Sequence, residues 1–320
     1  MSTRIEIVDP VQVAGVASRI LQTAWKPPCL HYSADYLGWQ FAFPTLLPRV
    51  CAMAYLDDRP VGCIAVTPRR FAIARETFAG YVLSFLAVDP IAKGRGLATA
   101  MYAAVLEALP LDTPTVAFFE PGSVAEGLLL QNLQRASFRH HSLLACRAIG
   151  FLPRPGGGSA RSGVVEDTVN YEAFSSAARM SNELTTLWTD INQEHWDHYR
   201  EDPRGRAMLA LHDERGNPVG TAMFVNAEVL STQGLQRVPM LESVALAEPT
   251  PAALGALFEF AASRAQPGSA VIASNLSYID AAMLRAAGAR ALPSSFNAYA
   301  FVRGQQHVVE TAAGLNLEVI

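Results

Sequence analysis

Residues 82–109 read VLSFLAVDPIAKGRGLATAMYAAVLEAL, and this segment decides the fold of the first half of the chain. Its apolar run, 82–88, predicts a buried strand that ends at Asp89-Pro90. The run 98–109, which is rich in Ala and Leu, predicts a helix. Between them lies the loop Lys93-Gly94-Arg95-Gly96-Leu97-Ala98. The segment is therefore a strand, a glycine loop and a helix in succession.

This loop has the chemistry of an anion-binding site. A helix N-terminus presents unpaired backbone N–H groups and the positive end of the helix dipole. Gly94 and Gly96 have no side chains to keep an anion from the backbone, and Lys93 and Arg95 add positive charge. A phosphate or diphosphate is the expected ligand. The loop is not a Walker loop, because no Gly-Lys-Ser/Thr follows, and its spacing differs from the dinucleotide fingerprint.

The same residues resemble the acyl-CoA-binding motif of the GCN5-related N-acetyltransferase (GNAT) superfamily. That motif is Arg/Gln-x-x-Gly-x-Gly/Ala after a strand ending Leu-x-Val-x-Pro, which Leu86 to Pro90 matches. Lys93 replaces the usual Arg or Gln. An ordinary strand–turn–helix is the alternative interpretation. The resemblance implies that the following residues bind acyl-CoA: Leu86, Ala87, Val88, Lys93, Gly94, Arg95, Gly96, Leu97, Ala98 and Thr99.

Composition is typical of a soluble globular protein. A length of 320 residues predicts two domains. Half of the residues are hydrophobic, and 17% are charged. A net charge of −4 argues against a nucleic-acid-binding surface. The four cysteines form no Cys-x-x-Cys pair, so neither a metal site nor a redox motif is predicted. No signal-peptide core or membrane-spanning run is present, and a cytoplasmic location is expected.

Two helices are predicted near the start of the sequence, before residue 50. Asp9-Pro10 begins a helical pattern that ends before Pro27-Pro28, and 31–43 predicts a second helix capped near Ser33. By the resemblance, helices in these places line the acceptor side of the site. The candidate substrate contacts are therefore His31, Tyr32, Tyr36 and Trp39. Helical spacing also predicts that Tyr36 and Trp39 are core residues.

The rest of the first half alternates strands and helices. Three antiparallel strands are predicted over 50–55, 61–67 with its extension 71–74, and 80–88. A buried strand parallel to its neighbour is predicted over 113–119. A helix over 124–136 follows, and the strand 138–149 is expected to close this sheet.

The candidate catalytic residues are Ser84, Glu120 and His141. The family often carries a glutamate where this chain has Ser84, and a tyrosine that protonates the departing thiolate where it has Leu133. A serine cannot serve as a base unaided, so Glu120, at a strand end, is the candidate base. Glu126 falls where the family often has asparagine. The alternatives are a turn residue for Glu120 and a structural histidine for His141.

The second half repeats the first at an offset of about 160 residues. A linker rich in Gly, Pro and Ser, 150–163, separates the halves. Strand, acidic turn, Pro-Val-Gly and strand occur at 52–62 and again at 208–220. A strand over 241–246 is followed by a helix capped by Thr250, then by a strand over 269–273, a helix over 280–287 and a strand over 296–302.

The glycine loop is not repeated. Glu248-Pro249-Thr250-Pro251 stands in its place, without glycine and with an acidic residue, so the second half is predicted not to bind phosphate. The run 188–200 contains His195 and His198, but it lacks the His-Glu-x-x-His order of a zinc protease. A polar, solvated helix facing the cleft is expected there.

These patterns predict an α/β (α+β) protein of two tandem acetyltransferase-fold domains, each with a mixed, mostly antiparallel sheet flanked by helices. Residues 1–150 are the predicted acyl-CoA-binding domain, and 151–320 a degenerate copy. The expected activity is acyl transfer, with acetyl-CoA or another acyl-CoA as cosubstrate and without a metal, to the amine of a small molecule. Neither nucleic acid nor membrane is an expected partner, and the protein is expected to be a monomer or homodimer.

Three other functions stay open on the sequence. The same site would serve acyl transfer to oxygen or sulfur, or decarboxylation of an acyl thioester. A non-catalytic CoA sensor is a second possibility. Aminoacyl-tRNA-dependent transferases also have two such domains, but the glycine loop and the acidic pI of about 6.0 argue against that class.

Overall fold

The structure is a computed structural model that describes residues 2–73, 76–153, 164–168, 170–182, 185–265, 269–273, 276, 278–304 and 315–317. The helices in this part of the chain are α1 Pro10–Ala24, α2 Ala34–Phe41, α3 Leu97–Ala108, α4 Val124–Arg135, α5 Tyr171–Ser181, α6 Gln193–Arg200, α7 Pro251–Ser263 and α8 Ala281–Ala286. The strands are β1 Thr3–Val8, β2 Cys29–Leu30, β3 Val50–Leu56, β4 Arg59–Ile73, β5 Glu76–Val88, β6 Thr115–Phe119, β7 Arg139–Phe151, β8 Val164–Asp167, β9 Leu187–Thr189, β10 Ala207–His212, β11 Pro218–Ser231, β12 Gly234–Leu246, β13 Val271–Ala273, β14 Ala289–Val302 and β15 Leu315–Asn316.

One continuous sheet runs through both halves of the molecule. Its order is β1-β3-β4-β5-β6-β14-β7-β13-β12-β11-β10-β8. Most neighbours are antiparallel, and β5 with β6 and β12 with β13 are parallel pairs. The predicted mixed α/β fold, with a mostly antiparallel sheet and a parallel strand over 113–119, is therefore confirmed.

The two halves exchange their last strands. β14, from the second half, pairs with β6 through Ala298↔Phe118 and with β7 through Ala298↔Leu144. β7, from the first half, pairs in turn with β13 through Ile272↔Gly150. The expectation that 138–149 closes the first sheet is wrong, because β14 takes the place beside β6. The partition into 1–150 and 151–320 stays a prediction, and each half is completed by a strand of the other.

The helices lie in two groups on the two faces of the sheet. α3 and α4 bury their apolar side chains against one face of the first half, and α7 and α8 do so in the second half. On the opposite face, α1, α2, α5 and α6 contribute to a single cluster that includes side chains of both halves. Cys51 and Cys63 lie in this cluster as buried core residues.

The sequence-predicted helix starts are confirmed by their capping bonds. Asp9 accepts a hydrogen bond from the Val11 amide, and Ser33 accepts one from the Tyr36 amide. Thr250 likewise accepts one from the Ala253 amide at the start of α7. Since each cap satisfies an otherwise unpaired N–H group, these positions are readable from residue type alone.

The expected solvated helix over 188–200 is wrong. α6 covers only Gln193–Arg200, and its side chains His195, Trp196 and Tyr199 are buried against the first half. The described residues contain no group of His, Cys, Asp and Glu placed to hold a metal ion. Nor does this part of the chain form a helix of the length and hydrophobicity needed to cross a bilayer.

Candidate functional site

A β-bulge in β5 opens a gap in the sheet of the first half. Cys63 and Ala65 of β4 face Ala87 and Ser84 of β5, so one extra residue lies on β5. Phe85, inside the bulge, has a positive φ of 63°. The parallel pairing of β5 with β6 ends at Leu83↔Ala117, before the bulge, so Leu86, Ala87 and Val88 lie beyond it on a strand paired only with β4 in the described residues.

The glycine loop adopts the conformation that anion binding requires. Gly94 and Gly96 have φ values of 77° and 73°, and a Cβ atom placed on either would meet nothing within 4 Å. Gly96 is the N-cap of α3 and forms no side-chain capping bond. Lys93, Gly94, Arg95 and Gly96 are exposed, whereas Leu97 anchors the helix in the core. The first amides of α3 are thus open to a ligand.

A groove of about 720 Å³ continues from this loop between α3 and α4. Gly96 and Thr99 lie at its beginning, and Ala100 and Ala103 are the small residues along α3. Arg135 and Arg303 contribute positive charge to its lining, and Glu107 contributes a carboxylate. A phosphate bound at the loop would therefore have room beside it for the rest of a nucleotide.

The three candidate catalytic residues lie in different places. Ser84 is half-buried on β5, directly before the bulge residue. Glu120 is exposed and follows β6 at the side where β5 and β6 have separated. His141 is half-buried on β7, opposite Ala300 of β14, so two strands lie between it and β5. At about 4.8 Å per strand, the backbone of β7 lies about 14 Å from that of β5, and the structure does not bring His141 to the gap.

The candidate acceptor residues form part of the core between the halves. Trp39 donates from Nε1 to the His198 carbonyl at 2.8 Å, and its ring stacks on His198. The Arg204 guanidinium lies 4.0 Å from the ring centre of Tyr36. His31 is bonded through Nδ1 to Glu228 at 2.9 Å. Tyr36 and Trp39 are buried, as the core interpretation of their spacing predicts.

Trp25, which the sequence did not single out, lies against the bulge. Its indole N–H donates to the Leu86 carbonyl at 3.3 Å. Tyr32 lies between Trp25 and Phe85, with ring centroids 5.6 and 5.1 Å away in edge-to-face arrangements. We call these three residues the aromatic wall. No local pattern predicts it, because the loop after α1 is brought to β5 only by tertiary packing.

A buried carboxylate links the two halves. Glu126 Oε1 accepts hydrogen bonds from Asn297 Nδ2 and from the Tyr299 hydroxyl, each at 2.7 Å. Its Oε2 accepts one from the Gly122 amide at 2.6 Å. Burial raises the pKa of this carboxyl, but the three hydrogen bonds outweigh burial and hold the pKa below its ordinary value.

Part of this constellation is visible in the sequence. Ser123 caps α4, and Ser123-x-x-Glu126 has the spacing of a capping box. Asn297 and Tyr299 lie on the exchanged strand β14, opposite Phe119 and Ala117 of β6. The strand exchange alone brings them to Glu126, so sequence reasoning about the first half could not find them.

The second half has the same bulge, followed by a helix with a different cap. Ser243, with φ of 47°, lies where β11 and β12 shift register, and β12 pairs in parallel with β13 through Met240↔Ile272 and Leu241↔Ala273. Tyr278 donates to the Val244 carbonyl at 2.9 Å, next to this bulge. The helix that follows is capped by its own Thr250. The carbonyl after the bulge residue thus accepts from a side chain in both halves, from Trp25 in the first and from Tyr278 in the second, and the cap of the following helix is what differs.

A buried ion network lies beside the second bulge. Arg206 binds Glu242 at 2.8 Å and Asp202 at 3.1 Å, and all three side chains are almost fully buried. Burial raises the pKa of Asp202, but Arg206 and Arg204 outweigh it and keep the pKa below its ordinary value. Glu242 occupies the repeat position of Ser84, since both directly precede the bulge residue. Its carboxylate is committed to Arg206.

Comparison with known proteins finds one family match, which lies in the first half. The model of the acetyltransferase (GNAT) family matches residues 16–112, from within α1 to the end of α3. No curated protein matches the chain. Solved structures with the same fold include Saccharomyces cerevisiae N-myristoyltransferase with bound myristoyl-CoA, which is 10% identical, with a TM-score of 0.66 over 99% of this chain and 89% of that one.

Two further structures are described as GCN5-related N-acetyltransferases. That from Sphaerobacter thermophilus is 14% identical, with a TM-score of 0.59 over 96% of this chain and 98% of its own. That from Anabaena variabilis is also 14% identical, with a TM-score of 0.57 over 93% of this chain and 72% of its own. These similarities extend the shared fold over both halves, beyond the residues that the family model matches.

Proposed function

We propose that the first half, in which residues 16–112 match the model of the acetyltransferase (GNAT) family, transfers an acetyl group from acetyl-CoA to an amine of a small molecule. The second half is proposed to bind no CoA. In this proposal the diphosphate of CoA binds Gly94 to Thr99, and the thioester lies beside Leu86, Ala87 and Val88.

The observation that carries this proposal is the open N-terminus of α3. Its cap is a left-handed glycine without a side-chain hydrogen bond, at the mouth of a groove large enough for a nucleotide. Unpaired N–H groups and the helix dipole attract a diphosphate at such a position. Lys93 and Arg95 increase that attraction, because both lie exposed on the same loop.

The gap between β5 and β6 supports direct transfer of the acyl group. Backbone N–H groups beyond the bulge would donate to the thioester oxygen as negative charge develops there. The amine nitrogen forms the new bond to the carbonyl carbon, the carbon–sulfur bond breaks, and CoA leaves as thiolate. Glu120 is the candidate base for the amine proton, because it is exposed where the gap opens.

A small acceptor is supported by the helices that cover the face of the sheet opposite α3 and the glycine loop. α1 and α2 pack there against α5 and α6 of the second half, in one cluster with Phe85. An acceptor approaching the bulge from this face must enter between packed helices. We therefore favour a small amine over a protein substrate.

The test is a transfer assay combined with a binding measurement. Acetyl-CoA is incubated with matched panels of amines, alcohols and thiols, and the products are identified by mass spectrometry. Calorimetry measures the binding of CoA and of inorganic pyrophosphate. Acetylated amines and a single CoA site are expected. Turnover only of alcohols or thiols would replace N-acetyl transfer, CoA binding without any turnover would favour a sensor, and absence of CoA binding would remove the proposal.

A further inference from the structure

The acyl end of the proposed site is closed by the aromatic wall of Trp25, Tyr32 and Phe85, and we infer that this wall restricts the donor to short acyl chains. The inference rests on the proposed function, because it takes the thioester to lie at the bulge of β5. It adds a property of the donor, the length of its acyl chain, which the gap between β5 and β6 does not fix by itself.

The wall lies on the side of the sheet opposite the glycine loop. Leu97, in the loop, packs with α3 and α4, whereas Phe85 packs with α1 and α2. A pantetheine arm that begins at the loop and passes through the gap therefore emerges against the wall. The acyl chain extends from the end of that arm, so the wall is the first surface it meets.

The wall is densely packed. Phe85 and Tyr32 are only 4% and 5% exposed. Phe85 also meets Phe41 edge-to-face at 5.5 Å, and Tyr32 stacks on Tyr36 at 5.7 Å. An acyl chain long enough to reach these rings has to displace them, and forcing extra methylene groups into a packed core is unfavourable.

The segment that carries Trp25 and Tyr32 is fastened at both ends and in its middle. The Trp25 N–H donates to Leu86, and the Ser18 hydroxyl donates to the Tyr32 carbonyl at 2.7 Å. Between them, Cys29–Leu30 pairs with Val229 and Leu230 of β11, in the second half. The second half thus holds the wall in place, which gives it a role in donor selection although it binds no CoA in this proposal.

The experiment measures the affinity of the full chain for acetyl-, butanoyl-, hexanoyl- and octanoyl-CoA by calorimetry, without an acceptor. The wild-type protein is expected to bind octanoyl-CoA about tenfold or more weakly than acetyl-CoA, because the wall cannot yield to the longer chain. Trp25→Ala is expected to reduce this ratio to about threefold or less, since it removes the half-buried indole and leaves the backbone cap of α1 intact.

Two variants separate the bulk of the wall from other effects. Trp25→Phe keeps a ring but loses the N–H donor, and it is expected to keep the wild-type ratio. Leu46→Ala removes an apolar side chain that is fully exposed outside the wall, and it should change neither the ratio nor the affinities. Thermal melts followed by circular dichroism show that each variant is folded.

The outcomes distinguish the restriction of acyl-chain length by the aromatic wall, called the filter here, from the proposed function. Equal affinity of the wild-type protein for acetyl- and octanoyl-CoA, or an unchanged ratio in folded Trp25→Ala, overturns the filter and leaves the proposed function standing. Failure of free CoA and all four thioesters to bind overturns both.

Discussion

The two halves of this molecule contain the same strand, bulge, turn and helix. They differ in what caps the first backbone N–H groups of that helix. In the first half, Gly96 caps α3 without a side chain, and the first amides of the helix stay open. In the second, Thr250 caps α7 with its hydroxyl. The carbonyl after the bulge residue is bound by a side chain in both halves, by Trp25 in the first and by Tyr278 in the second. The two copies of the scaffold therefore differ in whether a side chain of the protein binds the first amides of the helix after the bulge, and the proposed ligand site is the copy in which none does.

The largest difference in stability between equivalent substitutions is expected at the residues directly before the two bulges, Glu242 and Ser84. Glu242→Ala should lower the free energy of unfolding by about 3 kcal/mol or more, because it leaves Arg206 buried with only part of its charge compensated. Ser84→Ala, at the equivalent place in the first half, should cost about 1 kcal/mol or less, since its half-buried side chain takes part in no such ion pair. Urea unfolding of both variants measures the contrast, and equal costs would contradict it.

The next effect concerns the open helix end. Gly96→Glu is expected to weaken CoA binding by about 100-fold or more, because it places a carboxylate where the diphosphate binds and strains a residue with φ of 73°. Gly216→Glu is the matched control, since Gly216 has φ of 82° and equally open surroundings in a turn of the second half. Each substitution should cost about 1 kcal/mol of stability for the left-handed conformation, so only the effect on CoA differs. Calorimetry that finds unchanged affinity in Gly96→Glu would refute the site.

A smaller effect is expected at the link between the halves. The folded-state pKa of Glu126 lies below its ordinary value of 4.5, so the carboxylate stabilises the protein above that pH. This contribution is lost as the pH falls through the folded-state pKa. Glu126→Gln should lower the free energy of unfolding by about 1.5 kcal/mol at pH 7 and reduce the loss of stability on acidification.

The control for this experiment is Glu172→Gln, which changes an exposed carboxylate in the first turn of α5. It should leave both the stability at pH 7 and its acid dependence close to wild type. If thermal melts at pH 3 to 7 show the same acid dependence for Glu126→Gln as for wild type, the Glu126 cluster does not contribute through its charge.

The smallest effect is expected at the closed helix end. Thr250→Ala should cost about 1 kcal/mol, because the Ala253 amide loses its capping partner. Thr250→Ser should restore most of this stability, since serine also accepts that bond. Neither variant should add a second CoA site, because the turn before α7 still lacks glycine and carries Glu248. A second site in calorimetry would show that capping by Thr250 alone silences the second half.

The local elements could be predicted because their signals are local. Ser33 and Thr250 mark helix starts because their hydroxyls accept hydrogen bonds from the first helical amides. Pro10 marks one because it has no amide N–H that needs a partner. Gly94 and Gly96 mark a left-handed loop because glycine has no side chain. The expectation of a solvated helix over 188–200 is wrong, because polar composition does not reveal that distant residues bury His195 and Trp196 of α6.

The sequence by itself determined the glycine loop, the strand that precedes it and the repeat of both halves, because steric and capping preferences act within a few residues. Tertiary structure alone decided the strand exchange, and with it the meeting of Glu126 with Asn297 and Tyr299 and the anchoring of the aromatic wall on β11. The physical reason is that a strand's hydrogen-bonding edge accepts any chain of matching register. Which chain pairs there depends on the packing of the whole sheet.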